Sequence, residues 1–222
     1  MVERKIYCFW TGDNPITPNR LKGLESMRAN LGVPVEFLDR EGIEARILPD
    51  APLHPSYRYL SCNHRSDYLR CYFMHHFGGG YADIKPYTKD NNWSRCFDYI
   101  DRYEDIDIVG QHDFVRGIAV PSLRTQENAE FMVACGWMIC RPQSPFTAEW
   151  YRRVNKKLDG CLDRLRRSPA TEPFGGPRYP LEWAGVCGKI FHQLQYDLFR
   201  SRPNSIRNCL RTGWRGFGVP YR

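Results

Sequence analysis

The sequence has no run of apolar residues approaching the ~20 that a membrane-crossing helix needs. Its opening stretch, Met1 to Trp10, lacks the long apolar segment of a secretory signal. A cytoplasmic protein without a transmembrane segment is therefore expected. Low-complexity tracts and fixed-period repeats are missing too, which excludes solenoids and fibrous arrays. No C-x-x-C pair occurs, and no histidine stands at zinc spacing from any of the nine cysteines (Cys8, Cys62, Cys71, Cys96, Cys135, Cys140, Cys161, Cys187 and Cys209). This odd, scattered set reads as free, mostly buried thiols of a reducing compartment.

What is present suits one α/β domain with a sizeable core: 222 residues, 42% of them hydrophobic and 14% aromatic. The formal charge of +7 raises the question of nucleic acid. Its dense part is Arg152, Arg153, Lys156, Lys157, Arg164, Arg166 and Arg167, strung along one helical pattern and the segment after it. A solvated helix face explains that run, so no nucleic-acid partner is expected. An acidic acceptor, a membrane surface or a partner protein are its other readings.

Ile6 to Phe9 is a short apolar run closed by Trp10-Thr11-Gly12-Asp13-Asn14-Pro15, which predicts a buried first strand and a turn. Residues 19–30 carry Leu21, Leu24 and Met27 at helical spacing, and Val35 to Leu38 predicts a second strand. Strand, helix, strand opens a parallel sheet. A helix is expected from Asn63 or Ser66, with Leu69, Tyr72, Phe73 and Phe77 inward, stopped by Gly78-Gly79-Gly80. Strands are expected at Tyr81–Ile84, Ile106–Val109 and Met132–Cys140. Helices are expected at Pro145–Leu158 and Leu181–Leu198, with a loop from Ser168 to Pro180 and an irregular final 20 residues. Ligands of such sheets sit at the carboxyl ends of strands, so Trp10 and Asp83 to Lys85 are expected on one edge.

The informative segment is Arg65-Ser66-Asp67-Tyr68-Leu69-Arg70, followed by Phe77-Gly78-Gly79-Gly80-Tyr81-Ala82-Asp83. Asp67 and Arg70, three apart, place a carboxylate and a guanidinium fork on one helix face. The glycines let backbone approach a ligand, and the next strand carries Asp83 to the sheet edge. Carboxylates for hydroxyls, a guanidinium for phosphate and an open backbone wall are what a sugar diphosphate requires.

These residues resemble the glycosyltransferases with a DXD-type sugar-binding region: the capsular polysaccharide synthesis, Och1-like mannosyltransferase and clostridial toxin glucosyltransferase group. Their pattern is Ser-Asp-x-x-Arg, then Gly-Gly-x-Tyr-x-Asp-x-Asp. Tyr7 to Gly12 is similar to their first strand, Gly136 to Pro142 to a later strand, and Tyr179 to Trp183 with Phe191-His192 to a carboxyl-terminal helix. The short format and Ala82-Asp83-Ile84-Lys85 resemble the amino-terminal glycosyltransferase domain of algal-virus capsid-glycosylating proteins, which implies a deoxyhexose such as rhamnose.

The resemblance implies a GT-A-like single domain, with a mostly parallel central sheet flanked by helices. Residues 1–110 would form the donor-binding half and 111–222 the acceptor-side half. It also implies a UDP-sugar donor, a glycan or glycoprotein acceptor, a reaction that retains the anomeric configuration, and a divalent Mn or Mg ion. Trp10 would stack on the base beside Thr11. Arg65, Asp67, Arg70, Gly79, Gly80, Tyr81 and Asp83 would line the donor. Asp83 and Lys85 would organise the diphosphate. Glu182 and Asp113 are candidate bases, needed if the reaction inverts. The second metal-binding carboxylate of the family pattern is Lys85 in this chain, so Asp83 and His192 are the candidate metal ligands.

Each position has a plainer reading beside the functional one. Asp67 with Arg70 also reads as an ordinary intrahelical ion pair, Trp10 as a core tryptophan, and Glu182 as a helix-start acid. His192 also reads as a surface histidine, and His75-His76 as cations at a helix end.

Overall fold

The structure, a computed structural model, describes residues 1–113 and 117–208. In chain order its main elements are β1 (Ile6–Phe9), α1 (Pro18–Asn30), β2 (Val35–Leu38), α2 (Arg40–Glu44), α3 (Cys62–His76), β3 (Gly79–Ala82) and α4 (Ser94–Arg102). These are followed by β4 (Ile108–His112), α5 (Gln126–Phe131), β5 (Val133–Cys140), α6 (Pro145–Asp159), α7 (Leu162–Arg167), α8 (Gly188–Ser201) and β6 (Ile206–Asn208). The strands form one sheet in the order β2-β1-β3-β5-β4-β6. Strand β1 pairs in parallel with β2 and β3, and β4 in parallel with β6, while β5 runs antiparallel to both β3 and β4. The expected mostly parallel sheet flanked by helices is therefore present.

Alternation along the strands feeds two cores. Tyr7, Phe9, Tyr81 and Met138 join Tyr72 and Phe73 of α3, Phe146 and Trp150 of α6, and Phe191 of α8. Ile6, Cys8, Ala82 and Ile139 face the other way, onto Leu24 and Met27 of α1 and Phe97 and Ile100 of α4. Side chains of consecutive strand residues point to opposite faces, so each strand serves both layers.

Helix starts follow local chemistry. Thr17, Ser61 and Ser144 each accept a hydrogen bond from a backbone amide of the first turn of α1, α3 and α6, and proline opens α1 and α6. Helix α3 ends where Gly78, at φ +69°, donates its amide to the Phe73 carbonyl.

Several boundaries differ from expectation. Strand β3 starts at Gly79 and leaves Asp83 just beyond the strand, because the glycines themselves pair with β5. The last long helix begins at Gly188, since residues 181–187 are spent on turns such as Gly185 N–H to Glu182 O. Strand β4 runs to His112. The expected irregular tail contains β6, and residues 209–222, Cys209 among them, lie outside the described residues.

Candidate functional site

Strands β1, β3 and β4 end on the same edge of the sheet, because they run in the same direction. That edge collects Trp10 and Thr11 after β1, Asp83 and Lys85 after β3, and Asp113 after β4. Helix α3 starts at this edge, where Thr11 donates through Oγ1 to the Cys62 carbonyl at 2.7 Å and ties the end of β1 to the start of α3.

The centre of the site is Asp83. Its Oδ1 accepts from the Tyr81 hydroxyl at 2.9 Å and lies 3.6 Å from Arg70 Nη2, and its Oδ2 lies 3.0 Å from Lys85 Nζ. Burial works to raise this carboxyl, but the Lys85 and Arg70 charges and the hydrogen bonds from Lys85 and Tyr81 outweigh it and hold Asp83 below the ordinary range. Gly136 is small for a reason. A Cβ there would meet Asp83 Oδ2 at 3.1 Å, while its carbonyl accepts from the Asp83 amide.

Behind Asp83 sits a buried network. Arg70 donates to the Tyr81 hydroxyl at 3.0 Å and to the Cys135 carbonyl, lies 4.3 Å from the centre of the Tyr81 ring, and pairs with Asp67 at 3.3 Å. Asp67 and Arg70 thus form an intrahelical pair, and one that reaches across to β3 and β5. Burial pushes the Asp67 carboxyl up to about 7, against the opposing pull of Arg70. Cys187 is hydrogen-bonded to Cys135, which holds the Cys135 thiol below its ordinary range and Cys187 well above it.

Lys85 is held at both ends. Its ammonium lies 4.5 Å from the centre of the Trp137 ring, and its side chain is 17% exposed. Trp137 donates through Nε1 to the Tyr87 hydroxyl at 2.7 Å, and that hydroxyl donates to the Asp83 carbonyl at 3.1 Å. One face of α1 grips the backbone from Ile84 to Tyr87. Arg20 donates to the Ile84 carbonyl, Gly23 leaves room for the Lys85 backbone, Ser26 accepts from the Tyr87 amide, and Asn30 donates to the Tyr87 carbonyl. Trp137 and Tyr87 were not among the expected site residues. Their signal was two aromatics with polar tips next to motif residues, visible only once β3 and β5 are known to pair.

Other candidates lie elsewhere or do other work. Arg65 turns away, donating to the Arg58 carbonyl. Trp10 is half-buried and donates through Nε1 to the Asn14 carbonyl at 2.6 Å. Gly79 and Gly80 are not an open wall. A Cβ on Gly79 would meet the Lys5 carbonyl at 3.0 Å, and one on Gly80 would meet Ile6 Cγ1 at 2.9 Å, so protein already fills that space. Glu182 projects to the surface, 59% exposed, and pairs with Lys189 at 2.7 Å.

His192 is buried rather than on the surface. Its Nδ1 accepts from the Ala119 amide, so its proton is on Nε2, 2.8 Å from Asp113 Oδ2. Nδ1 is thereby engaged and Nε2 faces the Asp113 carboxylate without an aligned hydrogen bond, so the imidazole directs no lone pair at an ion. His75 and His76 are not helix-end cations either: burial lowers both, His75 to about 4, and His75 stacks on Tyr151.

Among the described residues, no group of three or more His, Cys, Asp or Glu side chains could hold a metal ion. Around Asp83 the neighbours are two cations and a hydroxyl donor, which already occupy both carboxylate oxygens. That donor set does not fit a resident divalent ion.

Three of the seven cations in the basic run are paired: Arg152 and Arg153 with Glu149, Arg153 also with Asp197, and Arg166 with Asp163. No helix among the described residues is long and apolar enough to cross a membrane. Comparison of the chain with protein-family models and with curated proteins finds no match.

Proposed function

We propose that the chain is a glycosyltransferase that takes a nucleoside-diphosphate sugar, a UDP-sugar, and passes its hexose or deoxyhexose to a hydroxyl of a glycan or glycoprotein. The observation that carries this reading is the Asp83 carboxylate held between Tyr81, Arg70 and Lys85 at the carboxyl edge of the sheet, with its side chain 29% exposed. A carboxylate whose charge is secured can accept hydrogen bonds from sugar or ribose hydroxyls, and an ammonium 3.0 Å away can meet phosphate oxygens.

In the transfer, the bond between the anomeric carbon and the β-phosphate oxygen breaks, with its electron pair leaving on the phosphate. The acceptor oxygen bonds the anomeric carbon, and its proton passes to the departing phosphate if configuration is retained. Negative charge grows on the diphosphate, so a fixed cation beside it stabilises the transition state more than the ground state. Trp10, at the end of β1, is the ring available on this edge for stacking on the base.

The test is to incubate the protein with UDP-sugars and candidate glycans and to measure both UDP release and the mass of the acceptor. UDP release with a matching gain of one glycosyl unit is the expected result. A second reading, an inactive sugar- or nucleotide-binding module, is favoured by the pairing of Asp83 with Lys85 where the family pattern has two carboxylates. Saturable UDP-sugar binding with no UDP release would select it.

A further inference from the structure

We infer that the donor site is independent of divalent metal, with the Lys85 ammonium standing as its permanent cation and Trp137 acting as the residue that positions it. This rests on the donor-site reading proposed above.

A lysine replaces a metal ion only if it is held in place, because a flexible ammonium spends most of its time in water. Lys85 is held. The backbone on either side of it is fixed to α1 through Arg20, Ser26 and Asn30. Its ammonium lies over the Trp137 ring, 4.5 Å from the ring centre, and 3.0 Å from Asp83 Oδ2. An ammonium over an indole face gains cation–π attraction, and the ring also excludes water from one side. Trp137 is fixed in turn through Tyr87, which returns to the Asp83 carbonyl. The circuit Asp83, Lys85, Trp137, Tyr87, Asp83 is closed.

A divalent ion has no place in this circuit. To bind Asp83 it would have to come within a few ångströms of a like charge, and the other carboxylate oxygen already accepts from Tyr81. An ammonium is also a weaker, single charge. The arrangement therefore predicts a donor held by Lys85 with no gain from Mn²⁺ or Mg²⁺.

The experiment is UDP titration by calorimetry and thermal shift, with GDP and ADP run beside it, in chelator and in excess Mn²⁺. We expect UDP affinity to be equal in the two conditions. Lys85→Ala should weaken it roughly tenfold, the loss of one charge-assisted contact, with partial recovery in Lys85→Arg. Trp137→Leu should weaken it in the same direction, Trp137→Phe should keep most of it, and Lys85→Ala with Trp137→Leu should be no worse than Lys85→Ala alone. UDP binding that collapses on chelation overturns the inference and leaves the donor-site reading standing. Failure of every nucleotide to bind overturns both. A silent Lys85→Ala, or losses that add in the double variant, overturns the assignment of Lys85 and Trp137. Should Trp137→Leu not fold, the chelation and Lys85 arms decide the outcome.

Discussion

Asp67 and Arg70, one turn apart in α3, lie 3.3 Å from each other with side chains only 10% and 8% exposed. Burial pushes the Asp67 carboxyl up to about 7, against an ordinary value of ~3.9 in the unfolded chain. Between those values the native state holds a proton that the unfolded state has released. The stability contributed by this group is therefore full below about pH 4 and is lost as pH rises through about 7. Urea unfolding should show a smaller decline in stability from about pH 5 to 8 for Asp67→Asn than for the unmodified chain. Equal slopes would remove Asp67 as the source.

Asp83→Asn keeps shape and removes charge. Because Asp83 and Lys85 are partly exposed, the lost pairing should cost less than about 1 kcal/mol of stability. Transfer should fall by about 10–100-fold, the equivalent of losing one hydrogen bond to a charged acceptor. Near-normal turnover in a folded Asp83→Asn variant would defeat the proposed role.

How far this was legible in the sequence depended on the range of the interactions. The boundaries of β1 coincide with the apolar run Ile6–Phe9, because a buried parallel strand needs little besides such a run, and β2, a half-buried edge strand, keeps the expected bounds Val35–Leu38. The start of α3, expected at Asn63 or Ser66, comes at Cys62, one residue after the Ser61 side chain that caps it. Asp67, Arg70, Asp83 and Lys85 were findable because they lie within one segment. Trp137 was not, since only the Ala82–Trp137 pairing of β3 with β5 brings the indole to the Lys85 ammonium. The spacing of the glycines shows that something comes close to their backbone, and only the fold shows that Pro142 stands against Gly78, Lys5 against Gly79 and Ile6 against Gly80.

Trp10 anchors its ring edge on the Asn14 carbonyl. If its face stacks on the base, Trp10→Ala should weaken UDP by about 1–3 kcal/mol, and Trp10→Phe, which keeps a stacking face, should keep most of the affinity. Calorimetry on variants whose melting temperatures have been checked would decide, and unchanged affinity in Trp10→Ala would refute the stack.

Gly78 sits at φ +69°, and a Cβ there would come 2.5 Å from Pro142 Cδ. Gly78→Ala should cost about 1–3 kcal/mol through backbone strain and overpacking. Nucleotide affinity of the folded fraction should be little changed, because the added methyl meets protein and not the donor edge. Denaturant midpoints and UDP titrations on the same samples test both halves.

The two candidate bases are separated by their surroundings. Glu182 is exposed and satisfied by Lys189, so Glu182→Gln should leave both stability and turnover close to those of the unmodified chain. Asp113 is buried against His192, whose Nδ1 is already committed to the Ala119 amide. Asp113→Asn exchanges a charge-assisted contact for a neutral one and should cost about 1–2 kcal/mol of stability. A retaining transfer needs no separate base, because the departing phosphate takes the acceptor proton, so kcat of the folded Asp113→Asn variant should remain within a few-fold. A loss of kcat with a rate that no longer rises through the titration of a carboxylate would instead make Asp113 the base and the reaction an inverting one. The anomeric configuration of the product, read by NMR, provides the independent check.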